Sequence, residues 1–360
     1  MIGRGMVGVV GAVGLAAVAG VAAARRPAVQ GAPVLRTVAE LPLPGPAVRF
    51  DYQSLDTTTN RLYIAHMNAE RLVVVDVSAR RVVANLAGFD RVHGVIAVPT
   101  AGGPAGRVYA AVTGRHQVAV VDAQSLTVLA RVGGMTYPDG LAYAPDARRV
   151  FVSDEHGAAD VVVDAATNRV VATIPLGGGA GNTVFDPGSG RVLVAVHGRN
   201  DLAVVDPAAA AIIRRIPLPG LEDPHGIALD VAHHVAFVAA EGNARLAVVD
   251  LATGRVTGTY AVARAPDVLA FDPGWRRLYV AAESGSVTVF QATPEPTFGT
   301  ASAGTASAGT VSLVRLGELA TPHAHTVAVD PRTHLVYLPL EDVAGTPRLR
   351  VLVGPAPRGR

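Results

Sequence analysis

Seven positions at a constant place in a repeating pattern carry side chains that can ligate a metal or move a proton. Aligned five residues before the end of a short apolar run, they are Asp51, His93, Asp139, Gly181, His225, Asp267 and His325, with Asn182 following Gly181. Three aspartates and three histidines are a dense polar set for a chain that is 50% hydrophobic and 17% charged. Neutral imidazole and carboxylate together suit Zn, Mn, Ni or Cu(II). His93, Asp139, His225, Asp267 and His325 are therefore candidate metal ligands, and the whole set is a candidate ligand-binding site. The same residues also suit strand-end capping around a wet channel. No His-Glu-x-x-His or similar short spacing accompanies them, so the signal depends on where a fold would bring them.

A second series ends the next apolar runs: Met67, Thr113, Glu155, His197, Glu241, Glu283 and Glu341, with His66, Asp154 and His156 beside it. Of these, Glu155, His197, Glu241 and Glu283 join the candidate ligand-binding residues. The acids can hold a cation or a sugar-like ligand, or act as general bases; a solvated loop is the other reading. In Pro322-His323-Ala324-His325, both imidazoles can reach the mouth, and the His-x-His pair is a weak metal signal. A third series, Asp76, Asp122, Asp164, Asp206 and Asp250, sits where a side chain accepts turn amides, which is a structural role. There is no Gly-x-Ser-x-Gly elbow and no phosphate-binding glycine loop opening a helix.

The elements that must position these residues repeat. Arg61-Leu62-Tyr63-Ile64-Ala65 matches runs beginning at Arg107, Arg149, Arg191 and Arg277, and runs at Val235 and Leu335 complete seven copies. About ten residues later a Val-rich run ends in each aspartate of the third series, at spacings of 46, 42, 42 and 44. Two further apolar runs complete each unit, as in Arg169–Leu176 and Gly226–Asp230. Four strands in a period of 40 to 45 residues are the signature of a β-propeller blade. Asp186-Pro187, Asp272-Pro273 and Asp330-Pro331 mark tight hairpins. No helical period separates the strands, which excludes a parallel α/β fold. The fold class is all-β, a seven-bladed propeller over residues 34–354. The seventh copy lacks its outer strand, and Val34–Leu41 is the run that supplies it, closing the ring and removing a free edge. Pro99–Gly106 lengthens one hairpin, and 293–310, with its tandem Thr-Ala-Ser-Ala-Gly, reads as a flexible insertion. Both insertions fall on the face opposite the candidate site.

Composition removes several classes. All 31 basic residues are Arg, against 29 acids, giving a formal charge of +2. That balance lacks the basic stripe a nucleic-acid binder needs. With no cysteine, there is no disulfide framework, thiolate metal site or Cys nucleophile. Gly 39 and Pro 25 suit short strands and tight turns. Residues 1–24 read as a signal peptide, with Arg4, an uncharged stretch from Met6 to Ala24 and a small-residue run before Arg25-Arg26; an uncleaved N-terminal anchor is the alternative. The expected location is periplasmic or extracellular.

The run Arg-Leu-Tyr-Val-Ala, then Val-Val-Asp, then Arg-Val-Val-Ala-Thr-Ile-Pro, carried best by Arg149–Leu176 and Arg277–Ala282, resembles the YVTN-repeat family of seven-bladed propellers. Phe50-Asp51-Tyr52 with Asn60-Arg61-Leu62-Tyr63 is similar to YncE-like exported proteins. The resemblance covers about Val34 to Val353. It implies an exported, monomeric, non-enzymatic module that binds a protein, glycan or small molecule at its channel mouth. One branch binds single-stranded DNA, which the charge balance and 5% aromatic content oppose here. Related propellers include sugar lactonases with a metal at the channel mouth. The alternative function is therefore a metal-dependent hydrolase of lactonase type, using the His/Asp ring and a divalent metal.

Overall fold

The computed structural model describes Met1, residues 33–99, Gly103, and residues 105–294, 311–321 and 323–357. The expected leader, apart from Met1, and most of the 293–310 insertion lie outside the described residues. Among the described residues, no helix is long and apolar enough to cross a membrane.

The unit from Pro33 onward holds seven antiparallel sheets of four strands each. Blades one to six span residues 53–87, 92–133, 138–175, 180–217, 224–261 and 266–320. Blade seven takes Ala328–Asp330, Leu335–Val343 and Thr346–Val353 from the end of the chain and Arg36–Pro42 from its beginning. Arg36 pairs with Val353 and Pro42 with Arg348, so the expected closure is present. The innermost strands meet in a complete circle, Gln53–Asp56 touching both Val92–Pro99 and Ala328–Asp330.

The repeat residues explain the assembly. The second strand of each blade is apolar on both faces because it lies between neighbouring blades. Its third residue is Tyr63, Tyr109, Phe151, Leu193, Phe237, Tyr279 or Tyr337, each at most 2% exposed. Burial of each such side chain stabilises the fold by about 2 kcal/mol. The arginine that opens this strand reaches sideways. Arg61 donates to Ala123 O, Arg107 to Ala165 O, Arg149 to Pro207 O and Arg277 to Pro355 O. In these four blades the arginine ties its blade to the next one, whereas Arg191 pairs with Asp206 of its own blade. The third aspartate series is structural: Asp122 Oδ1 accepts from Ser125 N at 2.7 Å, and Asp164 Oδ1 from Thr167 N at 2.7 Å.

Two features aim side chains into the channel. In blades two to six the ladder between the first and second strands shifts register at a matching place, between Val92 and Val95, Pro138 and Leu141, Ala180 and Thr183, Pro224 and Ile227, and Pro266 and Leu269. Such a shift re-aims the residue it contains. The enclosed residues are His93, Asp139, Gly181 with Asn182, His225 and Asp267. Glycine then lets the next backbone come close. A Cβ on Gly94 would lie 1.9 Å from Asp139 O, and one on Gly226 would lie 1.9 Å from Asp267 O.

Candidate metal centre at the channel mouth

The fold gathers the first series. Asp51, His93, Asp139, Asn182, His225, Asp267 and His325 are all buried, between 1% and 7% exposed. Around the ring the order is Asp51, His93, Asp139, Asn182, His225, Asp267, His325, one from each blade, so acids alternate with imidazoles. The contacts follow that order. Asp51 Oδ2 is 3.8 Å from His93 Nε2, and Asp51 Oδ1 is 3.0 Å from His325 Nε2. Asp267 Oδ2 is 2.9 Å from His325 Nε2, and Asp267 Oδ1 is 3.2 Å from His225 Nε2. Each of these two aspartates places one oxygen on each of two imidazoles.

A cavity of about 140 Å³ opens above them, lined by Arg49, Asp51, Tyr52, His93, Tyr137, Asp139, Glu155, His225, Glu241, Asp267 and Glu283. Glu155, Glu241 and Glu283 of the second series therefore stand on the wall with the first, and Glu341 does not. Six carboxyl groups face one guanidinium. Asn182, His197 and His325 are not among the residues that line this cavity. Arg49 lies 3.0 Å from His325 Nε2 and Glu283 3.5 Å from its Nδ1, and together they cover the ring. Asn182 Oδ1 accepts from the Tyr52 hydroxyl, and His197 Nε2 lies 3.2 Å from His225 Nδ1. His323 turns outward to Glu341 at 3.5 Å, so only His325 of that pair enters the ring.

Three residues absent from the sequence expectation complete the site. The Tyr52 hydroxyl crosses the channel to within 3.4 Å of Asp139 Oδ2 and 3.2 Å of His225 Nε2. Arg49 pairs with Glu283 at 2.8 Å. The Tyr137 hydroxyl reaches His93 Nε2 at 3.1 Å. Arg49, Arg91 and Tyr137 each stand two residues before an aligned position, a signal available in the same alignment. Tyr52 directly follows Asp51.

Hydrogen-bond partners set the protonation pattern. His93 Nδ1 lies 2.7 Å from Arg91 O, which can only accept, so this nitrogen carries the proton and Nε2 keeps the lone pair, which accepts from the Tyr137 hydroxyl. Burial lowers the His93 pKa, Asp51 opposing it in part, which favours the neutral ring. Burial alone would also lower His225, but the adjacent Asp267 carboxylate outweighs this and raises it to about 10. His325 likewise rises well above its ordinary value, Asp267 and Asp51 overcoming burial. Burial pushes Asp139 well up, with Asp51 adding to the rise. Asp267 falls well below the usual carboxylate range because His325 and His225 outweigh its burial.

Several polar atoms at the site share one donor. His325 Nε2 can carry one proton, yet Asp51 Oδ1 and Asp267 Oδ2 both face it and an Arg49 N–H approaches as well. The Tyr52 hydroxyl has one proton for Asp139, Asn182 and His225. Asp267 Oδ1, although near His225, has no hydrogen-bond donor of good geometry. Three groups can converge on an ion: Asp51, His93 and Asp139; Asp51, Asp267 and His325; and His225, Glu241 and Asp267, with ligand atoms in each within 4.8 Å of one another. Two ligands at about 2.1 Å and a right angle lie about 3.0 Å apart, close to the observed Asp–His spacings.

The sequence matches no protein-family profile and no curated protein. The structure is similar to solved propellers. A chain of a mitotic checkpoint complex superposes with a TM-score of 0.70 at 12% identity over 92% of this chain and 95% of that one. Virginiamycin B lyase from Staphylococcus aureus gives 0.67 at 9% identity over 89% and 99%. Kuenenia stuttgartiensis hydrazine synthase gives 0.66 at 15% identity over 91% and 99%. At these identities the likeness establishes the fold, a closed seven-bladed β-propeller, and leaves the chemistry to the site.

Proposed function

We propose that this chain is a binding propeller whose channel mouth holds a divalent cation and, through it, an oxygen-rich ligand such as a glycan or a small carboxylate. The convergence of buried carboxylates and imidazoles into three groups, each with ligand atoms within 4.8 Å of one another, carries this reading. Buried carboxylates and imidazoles are costly unless partnered, and a cation partners several at once. His93 is oriented for the task, its Nδ1–H held by a backbone carbonyl, as ligating histidines are usually held by an outer partner. The mixture of nitrogen and carboxylate ligands suits Zn²⁺ or Mn²⁺ better than Ca²⁺, which takes oxygen ligands. The motif resemblance supports placement among YVTN-repeat, YncE-like proteins, and the leader-like residues 1–24 support export. N-terminal sequencing of the protein from fractionated cells tests the latter.

The test of the cation is calorimetry on chelator-stripped protein. Zn²⁺ or Mn²⁺ should bind with micromolar or tighter affinity, and His225→Ala/His325→Ala should weaken it at least tenfold. Absence of heat and of bound metal in the wild type would overturn the reading.

A hydrolase of lactonase type is the second reading. Each candidate group supplies three protein ligands, which leaves a position for water or substrate as catalytic sites do. Glu241, with a side chain 34% exposed on the wall, is placed to touch such a substrate. Metal-dependent turnover on a lactone and ester panel, abolished by Glu241→Gln, would favour this reading. Absence of turnover in the metal-loaded protein would remove it.

A further inference from the structure

We propose that the mouth holds two divalent cations rather than one, on opposite sides of His325. This rests on the reading of the mouth as a metal centre and goes beyond it in nuclearity. The first group, Asp51, His93 and Asp139, and the third, His225, Glu241 and Asp267, share no residue. They come from blades one to three and from blades five and six. Each offers one imidazole and two carboxylates, the same donor set twice.

The middle group, Asp51, Asp267 and His325, borrows one acid from each of the others. Asp51 turns Oδ2 toward His93 and Oδ1 toward His325. Asp267 turns Oδ1 toward His225 and Oδ2 toward His325. A carboxylate whose two oxygens serve different neighbours has the disposition of a linker between sites. His325, held between the two acids, then connects the outer sites without being needed in both. Asp267 is 4% exposed, and its Oδ1, the oxygen on the His225 side, is the one without a hydrogen-bond donor. That atom lies 3.2 Å from His225 Nε2 without hydrogen-bond geometry, a disposition that suits two ligands of one ion and marks the third group as a site in its own right.

Metal counting separates the cases. Stripped full-length protein is loaded with Mn²⁺, passed through a desalting column and assayed for metal per chain by mass spectrometry. Two ions are expected in the wild type, one in His93→Ala and one in His225→Ala. A single ion in the wild type that survives both substitutions and is lost in His325→Ala would place one cation in the middle group and overturn the two-ion proposal, leaving the binding function intact. No retained ion in the wild type would overturn both. Electron paramagnetic resonance of the Mn²⁺-loaded wild type gives a check that no variant's folding can confuse. Two neighbouring ions should give a spin-coupled, broadened spectrum, whereas an isolated six-line spectrum at full loading contradicts the proposal.

Discussion

The two ends of the innermost strands carry rings of aspartate only five residues apart in sequence, and they behave differently. At the hairpin end, Asp56, Asp186, Asp272 and Asp330 accept amide protons from the turns that follow, with Asp56 Oδ1 2.9 Å from Thr58 N and Asp186 Oδ1 2.9 Å from Gly188 N. At the mouth end, Asp51, Asp139 and Asp267 face imidazoles and a tyrosine across the channel. Residue type and burial are the same at both ends. What differs is the supply of local backbone donors: a tight turn provides N–H groups, and a register shift at the start of a strand does not. Acids without amides must find protons or cations from other blades, and that requirement makes the mouth a site.

Asp160 offers the sharpest test that surroundings set an acid's behaviour, because it has neither amides nor imidazoles. It is fully buried, and among the described residues its carboxyl has only a long hydrogen bond from the Thr183 hydroxyl, 3.5 Å. Burial raises its pKa to about 8, Thr183 opposing only slightly. An unfolded aspartate titrates near 4 (about 3.9). Between about pH 4 and 8 the unfolded chain therefore releases a proton that the folded chain keeps, so stability falls as pH rises through that window. Asp160→Asn should remove this slope and, by denaturant melts, be more stable than the wild type at pH 8 by on the order of 4 kcal/mol. Equal slopes would show that the carboxyl has another partner.

Gly226→Ala attacks the close packing that builds the mouth. Its Cβ would meet Asp267 O at 1.9 Å and Leu269 Cδ1 at 2.5 Å. A loss of about 3 kcal/mol is expected. Gly133→Ala is the control, since a Cβ there meets nothing within 4 Å, and it should stay within about 0.5 kcal/mol.

Asp267→Asn and Asp272→Asn compare the two rings directly. The first should weaken metal binding about a hundredfold, at the upper end of what perturbing a site's support costs. The second should leave metal affinity unchanged within about twofold, because Asp272 serves Gly274 N and His334. Similar losses in both would break the distinction drawn here. The smallest effect belongs to the exposed turn aspartates. Asp164→Ala removes acceptors for Ala166 N and Thr167 N and should cost about 1 kcal/mol in a thermal melt with no change in metal binding.

Much of this was legible in the sequence. Blade number, strand order and ring closure follow from a repeat whose apolar runs and turn aspartates keep a near-constant spacing. The mouth positions were legible because a constant offset along equivalent strands becomes a ring about one axis. What the repeat could not show was reach. Tyr52 belongs to blade one yet contacts residues of blades three, four and five, because a long side chain near the axis spans the channel. Glu241 and His197 start from equivalent strand ends, but Glu241 stands on the cavity wall and His197 beside His225. That difference arises from packing between blades, which a one-dimensional alignment does not contain. Glu341 departs further, since its strand runs on to Val343 and pairs with Thr346 beyond it, carrying that hairpin away from its counterparts.

Anomalous diffraction from crystals of stripped protein soaked in Mn²⁺ tests the central claim most directly. The account predicts difference peaks within about 2.3 Å of aspartate oxygens and histidine Nε2 atoms of the mouth, with no comparable peak at the hairpin-end aspartates. A map with an empty mouth, or with peaks only at the hairpin ring, would contradict it.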